Sequence, residues 1–272
     1  MDAREKTAIG ADDGLSENRY WSWASMARGR FKWFALMFAA IVLMAGCGAG
    51  EDKSSGDITA ATSTGGNVAA DADITSGCWS AADRGASDAE RTEGSVAHQQ
   101  WNKAPEMVID SDKTYRATLD TSAGTVEVEF FPKDAPQTVN NFVCLARAGY
   151  FDGTPFHRIV QGFVAQGGDP TGTGSGGPGY RFADEPIPAN RNYTKGTLAM
   201  ANSGANTNGS QFFICTADLS GRLPKNYNIF GQVISGMDVV DALDKTPTQV
   251  RNGEKSSPIN PVTLNKVTIT GA

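Results

Sequence analysis

The chain has 272 residues and a formal net charge of −6, enough length for one large domain or two smaller ones. The charge is segregated: residues 48–112 hold four Lys/Arg against twelve Asp/Glu, whereas residues 113–272 hold fourteen against thirteen. No basic stripe for nucleic acid results, and two histidines without a CxxC or HExxH spacing give no basis for a metal site. Neither a P-loop nor a dinucleotide fingerprint is present, and the run Gly172–Gly179 lacks the Lys-Ser/Thr ending that binds phosphate.

In chain order, the first feature is the apolar run 33–44, WFALMFAAIVLM. It is shorter than the roughly 20 residues a membrane-crossing helix needs. Arg28, Arg30 and Lys32 precede it, and Ala45, Gly46 and Cys47 follow. Positive, then apolar, then small is the order of a secretory signal. Residues 1–25 instead carry five acidic residues, while Met26 opens a well-proportioned signal by itself. Translation is therefore expected to begin at Met26, or else residues 1–25 form a cytoplasmic extension. The segment Met44-Ala45-Gly46-Cys47 resembles the lipobox of bacterial lipoproteins, with Met44 where Leu is usual. That resemblance implies lipidation at Cys47, with residues 1–47 as extension and signal. Two or three acyl chains anchor durably where one binds only marginally. The rest of the chain would then sit outside the cytoplasm, anchored to the cell membrane; an uncleaved single-pass anchor is the alternative.

Residues 48–75 are rich in Ser, Thr, Gly, Ala and Asp. Such a segment buries too little apolar surface to offset its ordering entropy, so a disordered tether is expected. The whole span 48–112 reads as an acidic linker ending in an arm on which Trp79 and Trp101 could dock. With Cys47 set aside, Cys78, Cys144 and Cys215 allow at most one disulfide, and the sequence does not assign it. No cysteine has a general base nearby, so no thiol nucleophile is expected.

From Thr114 the pattern becomes regular. Strands are predicted over 115–120 and 125–131, the second alternating Val126, Val128 and Phe130 with Glu127 and Glu129. Pro136 opens a helix with Val139, Phe142, Val143 and Ala146 at helical spacing, which Gly149 ends. Strand-like runs follow at 156–160, 163–166, 197–201, 211–216 and 229–233, then a short helix at 237–243 and a last strand at 262–269. Many short strands with Gly-rich connections and two helices point to a mainly β protein, a closed barrel capped at its ends.

Four motifs in this order carry a closer likeness: FHRI from Phe156, GFVAQGGD from Gly162, MANSGANTNGSQFFI from Met200, and IFGQVISGMDVV from Ile229. Over residues 113–272 the chain resembles the cyclophilin family of peptidyl-prolyl cis–trans isomerases. The resemblance implies a closed eight-stranded antiparallel β-barrel with two capping helices, no cofactor, and proline-containing segments of exported proteins as partners. It also implies a monomer. By the same resemblance Arg158 is the hydrogen-bond donor to the twisting amide, with Phe163 and Gln166 beside it. Phe163, Val164, Phe213 and Leu223 line a proline socket, and Val164 stands where methionine is frequent. Gln166 and Gln211 hydrogen-bond the substrate backbone and position Arg158; Ala201, Asn202 and Ser203 form the edge that aligns the peptide, and Gly174 a groove wall. Tyr227 takes the place of a rim histidine, and Arg222 that of a tryptophan that contributes to cyclosporin binding, so weak cyclosporin binding is expected.

The chemistry fits this inventory. Rotation about an X-Pro bond meets a barrier of roughly 18–20 kcal/mol and takes tens to hundreds of seconds unaided. No bond breaks, so neither nucleophile nor proton shuttle is required. Five decades of acceleration need roughly 7 kcal/mol of selective transition-state stabilisation. A dry socket for the ring and a fixed donor aimed at the proline nitrogen would supply it, and a planar, always-charged guanidinium suits the second role. Because no proton moves, His157 is expected to be a structural histidine with its hydrogen bonds satisfied. A non-catalytic module binding proline-containing segments is the competing reading.

Overall fold

The computed structural model describes residues 77–85 and 99–271. The signal segment, Cys47 and most of the tether lie outside the described residues. Among the described residues no helix is long and apolar enough to cross a membrane.

The first hairpin pairs β1 (Arg116–Thr121) with β2 (Gly124–Phe130), as the alternating pattern requires. Helix α1 (Pro136–Arg147) follows, with proline in its first turn where the missing N–H costs no bond. Its free N-terminal amides at Gln137 and Thr138 donate to the carboxylate of Glu185, 48 residues on from Gln137, in place of a local cap. Then come β3 (Thr154–Pro155), β4 (Arg158–Val160), β5 (Val164–Gly167), β6 (Thr197–Met200), β7 (Phe212–Cys215) and β8 (Ile229–Ser235). Helix α2 (Met237–Asp244), the ribbon β9 (Thr248–Arg251) and β10 (Glu254–Pro258), and β11 (Thr263–Thr270) complete the chain.

The main sheet has nine strands in the order β3-β11-β1-β2-β8-β6-β7-β5-β4, every ladder antiparallel. The expected mainly β, antiparallel architecture with two helices is present, but as a curled sheet of nine strands where a closed barrel of eight was expected. The run predicted as one strand at 156–160 is divided. Phe156 donates its N–H to Val262 beside β11, while Arg158 pairs with Gln166 on β5. The chain thus changes neighbours at a corner, and β3 and β4 are counted separately at opposite ends of the sheet. Only Phe156 and His157 separate them, a reach of about 10 Å. The sheet therefore curls, and the short link brings the end of β3 near the start of β4.

Inside the curl lies the main core, including Leu119, Val126, Phe142, Phe151, Phe156, Ile159, Leu198, Met200, Phe212, Ile214 and Phe230. A second, separate cluster holds Phe163, Val164, Tyr193, Ala199, Ala201, Phe213, Cys215, Leu219, Leu223, Tyr227 and Ile229. Alternation along the strands explains the division. On β7, Phe212 and Ile214 face the core and Phe213 and Cys215 the second cluster; on β6, Leu198 and Met200 face inward and Ala199 outward. These two strands, with β5, are buried on both faces.

The packed unit reaches N-terminal of Lys113. Cys78 forms a disulfide with Cys144 on α1, and Trp79 stacks on Trp101 with ring centroids 4.2 Å apart. Asn140 of α1 accepts from the amides of Val108 and Ile109 and donates to the carbonyl of Glu106, which ties the arm to the helix. Cys215 remains a free thiol, buried, and burial pushes its pKa up to about 12, which leaves it unreactive.

Candidate functional site

The outward face of β4, β5, β7 and β6 collects the site. Register places Arg158 opposite Gln166, Gln166 opposite Phe213, and Phe213 opposite Ala199. With about 4.8 Å between neighbouring strands, these four residues form a row that runs from a cation through an amide to an apolar floor. Val164 lies two residues from Gln166 on the same face, opposite Cys215. Phe163 leads into β5 and stays 9% exposed, enough to offer a ring face while most of it is packed.

The floor and rim are held in place by hydrogen bonds from their neighbours. The Tyr193 hydroxyl donates to the carbonyl of Tyr227 (2.9 Å) and accepts from its N–H (3.1 Å). It thereby fixes Tyr227, whose ring meets Phe213 edge-on at 5.7 Å. Leu223 closes the same cluster. Asp244 accepts from the Gly162 amide and the Thr216 hydroxyl, and the Thr216 amide donates to Phe163 O, so the turn that carries Phe163 is tied down from two sides.

Arg158 is held on both edges. Its Nη1 donates to Gln166 Oε1 at 3.3 Å, and its Nε and Nη2 donate to the two carboxylate oxygens of Glu254 at 2.8 Å each. Gln166, 3% exposed, passes the restraint on: its Nε2 donates to Gln211 Oε1, and Gln211 Nε2 donates to the carbonyls of Gly174 and Gly176. The Gly-rich loop behind these carbonyls is wound about Asp169, which accepts from the amides of Thr171, Gly174 and Gly176. Hydrogen bonding from Thr171 and from these amides holds the Asp169 carboxyl below its ordinary range despite burial. Gly168, at φ 79°, must be glycine here, because a Cβ would come within 2.4 Å of the Ser210 carbonyl.

Along the other border, the Ala201 amide donates to Gln211 O, and Asn202 donates to Asn226 O and accepts from the Gly204 amide. Ser203, next in line, is exposed, with its amide on Thr207 Oγ1. Gly174 is exposed on the loop, and Arg222 is exposed where a tryptophan was anticipated. All twelve residues expected at the site from the sequence thus fall on one outward face or its two borders.

The family model for cyclophilin-type peptidyl-prolyl cis-trans isomerases matches residues 116–269. The chain belongs to that family. Peptidyl-prolyl cis-trans isomerase CYP18-1 of Arabidopsis thaliana is 46% identical over 155 residues, 56% of this chain and 94% of that protein. Peptidyl-prolyl cis-trans isomerase A of Mycobacterium tuberculosis is 43% identical over 173 residues, 57% of this chain and 92% of that protein. A solved cyclophilin-type isomerase from Cryptosporidium parvum superposes with a TM-score of 0.53 at 35% identity, covering 58% of this chain and 98% of that one. The same protein was also solved in the presence of the dipeptide Ala-Pro.

Two features escaped the sequence reading of this cyclophilin. Glu254 was not anticipated, nor was the β9–β10 hairpin that carries it, although Asn252-Gly253 is a strong hairpin signal. His157 was expected to be satisfied, yet neither ring nitrogen finds a partner among the described residues. Burial lowers its pKa to about 4, so the ring is neutral at physiological pH.

Proposed function

We propose that this cyclophilin isomerises X-Pro bonds of exported proteins as a monomer held at the outer face of the cell membrane by a lipid on Cys47. The observation that carries the site reading is the row Arg158, Gln166, Phe213: a doubly braced guanidinium across two strands from an apolar floor. The proline ring would enter the cluster of Phe163, Val164, Phe213, Leu223 and Tyr227, which expels water from around the amide. There Arg158 would donate to the proline nitrogen as rotation frees its lone pair, an interaction absent from either planar ground state. Gln211, Ala201, Asn202 and Ser203 would align the flanking peptide, with Gly174 as the opposite wall. Because the guanidinium is braced beforehand, little reorganisation is needed when the amide twists.

Export is supported by the order of the N-terminal residues and by the Cys78–Cys144 bridge, since disulfides persist in oxidising compartments. A protease-coupled assay on an Ala-Pro peptide, run with the full detergent-solubilised chain, tests the site. Arg158→Ala is expected to lower kcat/KM by about 100-fold or more, the usual loss when a preorganised donor is removed. Equal rates for both proteins would show that Arg158 takes no part. Labelled palmitate should enter the wild-type chain and not Cys47→Ser, and label in both would place the lipid elsewhere.

A further inference from the structure

Glu254 stands on a ribbon outside the nine-stranded sheet. The turn Asn252-Gly253 has φ of 54° and 84°, the left-handed pair that matches the twist of a tight hairpin. It sets Glu254 opposite Arg251 and starts β10 beside β4. Thr248, Ser256 and Pro258 are buried and anchor the ribbon at its base, where the Ile259 amide also donates to Pro247 O. The tip from Arg251 to Lys255 is exposed, and from it the Glu254 carboxylate reaches back to the one guanidinium of the site.

We propose that Glu254 is a positioning residue for the isomerisation, holding the Arg158 guanidinium in the plane and at the height the twisting amide requires; this rests on the assignment of Arg158 as donor. On the Gln166 edge the guanidinium donates through a bond of 3.3 Å, longer than either bond on the opposite edge. The carboxylate adds two parallel bonds of 2.8 Å on the opposite edge, the fork-on-fork geometry that fixes a plane as well as a point. Placement matters because a displacement of about 1 Å of a reacting group can cost on the order of 100-fold in rate. The Arg158 side chain is 14% exposed and that of Glu254 46%. The brace is thus applied from the solvent side, where it adds order without burying an unpaired charge. Arg158 in turn holds the Glu254 carboxyl below its ordinary range, so the brace is ionised at neutral pH.

The full detergent-solubilised chain is assayed as wild type, Glu254→Ala, Glu254→Gln, Arg158→Ala and the Arg158/Glu254 double alanine variant, with melting temperatures measured alongside. Glu254→Ala is expected to lower kcat about tenfold with KM changed less than about threefold. Glu254→Gln, which keeps one acceptor, should fall between. In the Arg158→Ala background Glu254→Ala should change nothing further, because the residue acts only through the guanidinium. In NMR spectra with labelled arginine, the Arg158 Nε–H signal should broaden or shift in Glu254→Ala while melting stays within about 2 °C. An unchanged or faster Glu254→Ala beside a slow Arg158→Ala would overturn the positioning role, faster meaning that the carboxylate withholds the guanidinium. An equal loss in both backgrounds would also overturn it. A wild-type rate for Arg158→Ala would instead defeat the underlying site assignment.

Discussion

Replacing His157 by phenylalanine separates its titration from everything else in the protein. The unfolded chain binds a proton at His157 with an ordinary pKa of 6.5, and the native fold does so only at about 4. Burial is the main cause; Arg158 and Arg251 push in the same direction and Asp169 opposes them. The sign follows from linkage. Between these two values the unfolded state holds more protons, so stability rises with pH there. It is fully present above pH 6.5, declines as the pH falls, and stops declining below about 4. Each pH unit in that window is about 1.4 kcal/mol, so the wild type should lose about 1.4 kcal/mol by pH 5.5 and about 3 kcal/mol by pH 4. That is a large share of the 5–15 kcal/mol typical of a domain. His157→Phe removes two ring nitrogens that have no partners among the described residues, so it should be neutral or mildly stabilising at pH 7. The carboxylates held low, such as Asp169 and Glu254, lose their contribution at lower pH and do so in both proteins. Urea denaturation followed by tryptophan fluorescence at pH 7, 5.5 and 4.5 gives the difference directly. Parallel stability–pH curves for the two proteins would refute the reasoning.

Tyr193→Phe deletes two buried hydrogen bonds to the Tyr227 backbone, at a cost of about 1–3 kcal/mol, and should raise KM for an Ala-Pro peptide more than it lowers kcat. A melting curve and a KM indistinguishable from wild type would refute this. The Cys78→Ser/Cys144→Ser double variant opens a loop spanning 66 residues and should lose about 4 kcal/mol by urea titration, with activity at 25 °C retained. Cyclosporin should inhibit weakly, because the exposed Arg222 stands where the aromatic ring was anticipated; submicromolar inhibition would count against that alignment.

How much of this could be read from the chain depends on the range of the interaction. Period-two alternation in β2 and helical spacing in α1 are local, and both elements lie within one residue or two of their expected bounds. Candidate residues such as Arg158 and Phe213 could be placed beside their neighbours because they sit in runs of consecutive letters, FHRI and GSQFFI, where register fixes what lies opposite once the strands pair. The corner at Phe156–His157 was not legible, since an apolar run does not say which of two strands it will pair with. Glu254 was missed for a related reason. An acidic residue after Asn-Gly looks like any solvated turn, and only folding brings it 96 positions back to Arg158. Tyr193 likewise lies in an unpatterned stretch, and its worth comes wholly from Tyr227.

The separation of the two apolar clusters by one layer of backbone has a consequence for how this surface can change. Phe212 and Phe213 are adjacent letters with different obligations: one packs in the main core, its neighbour in the outward cluster proposed to receive the proline ring. If the proposed socket is right, substitutions at Phe163, Val164, Leu223 or Tyr227 would alter which sequences around a proline are accepted, while the separate interior cluster goes on undisturbed.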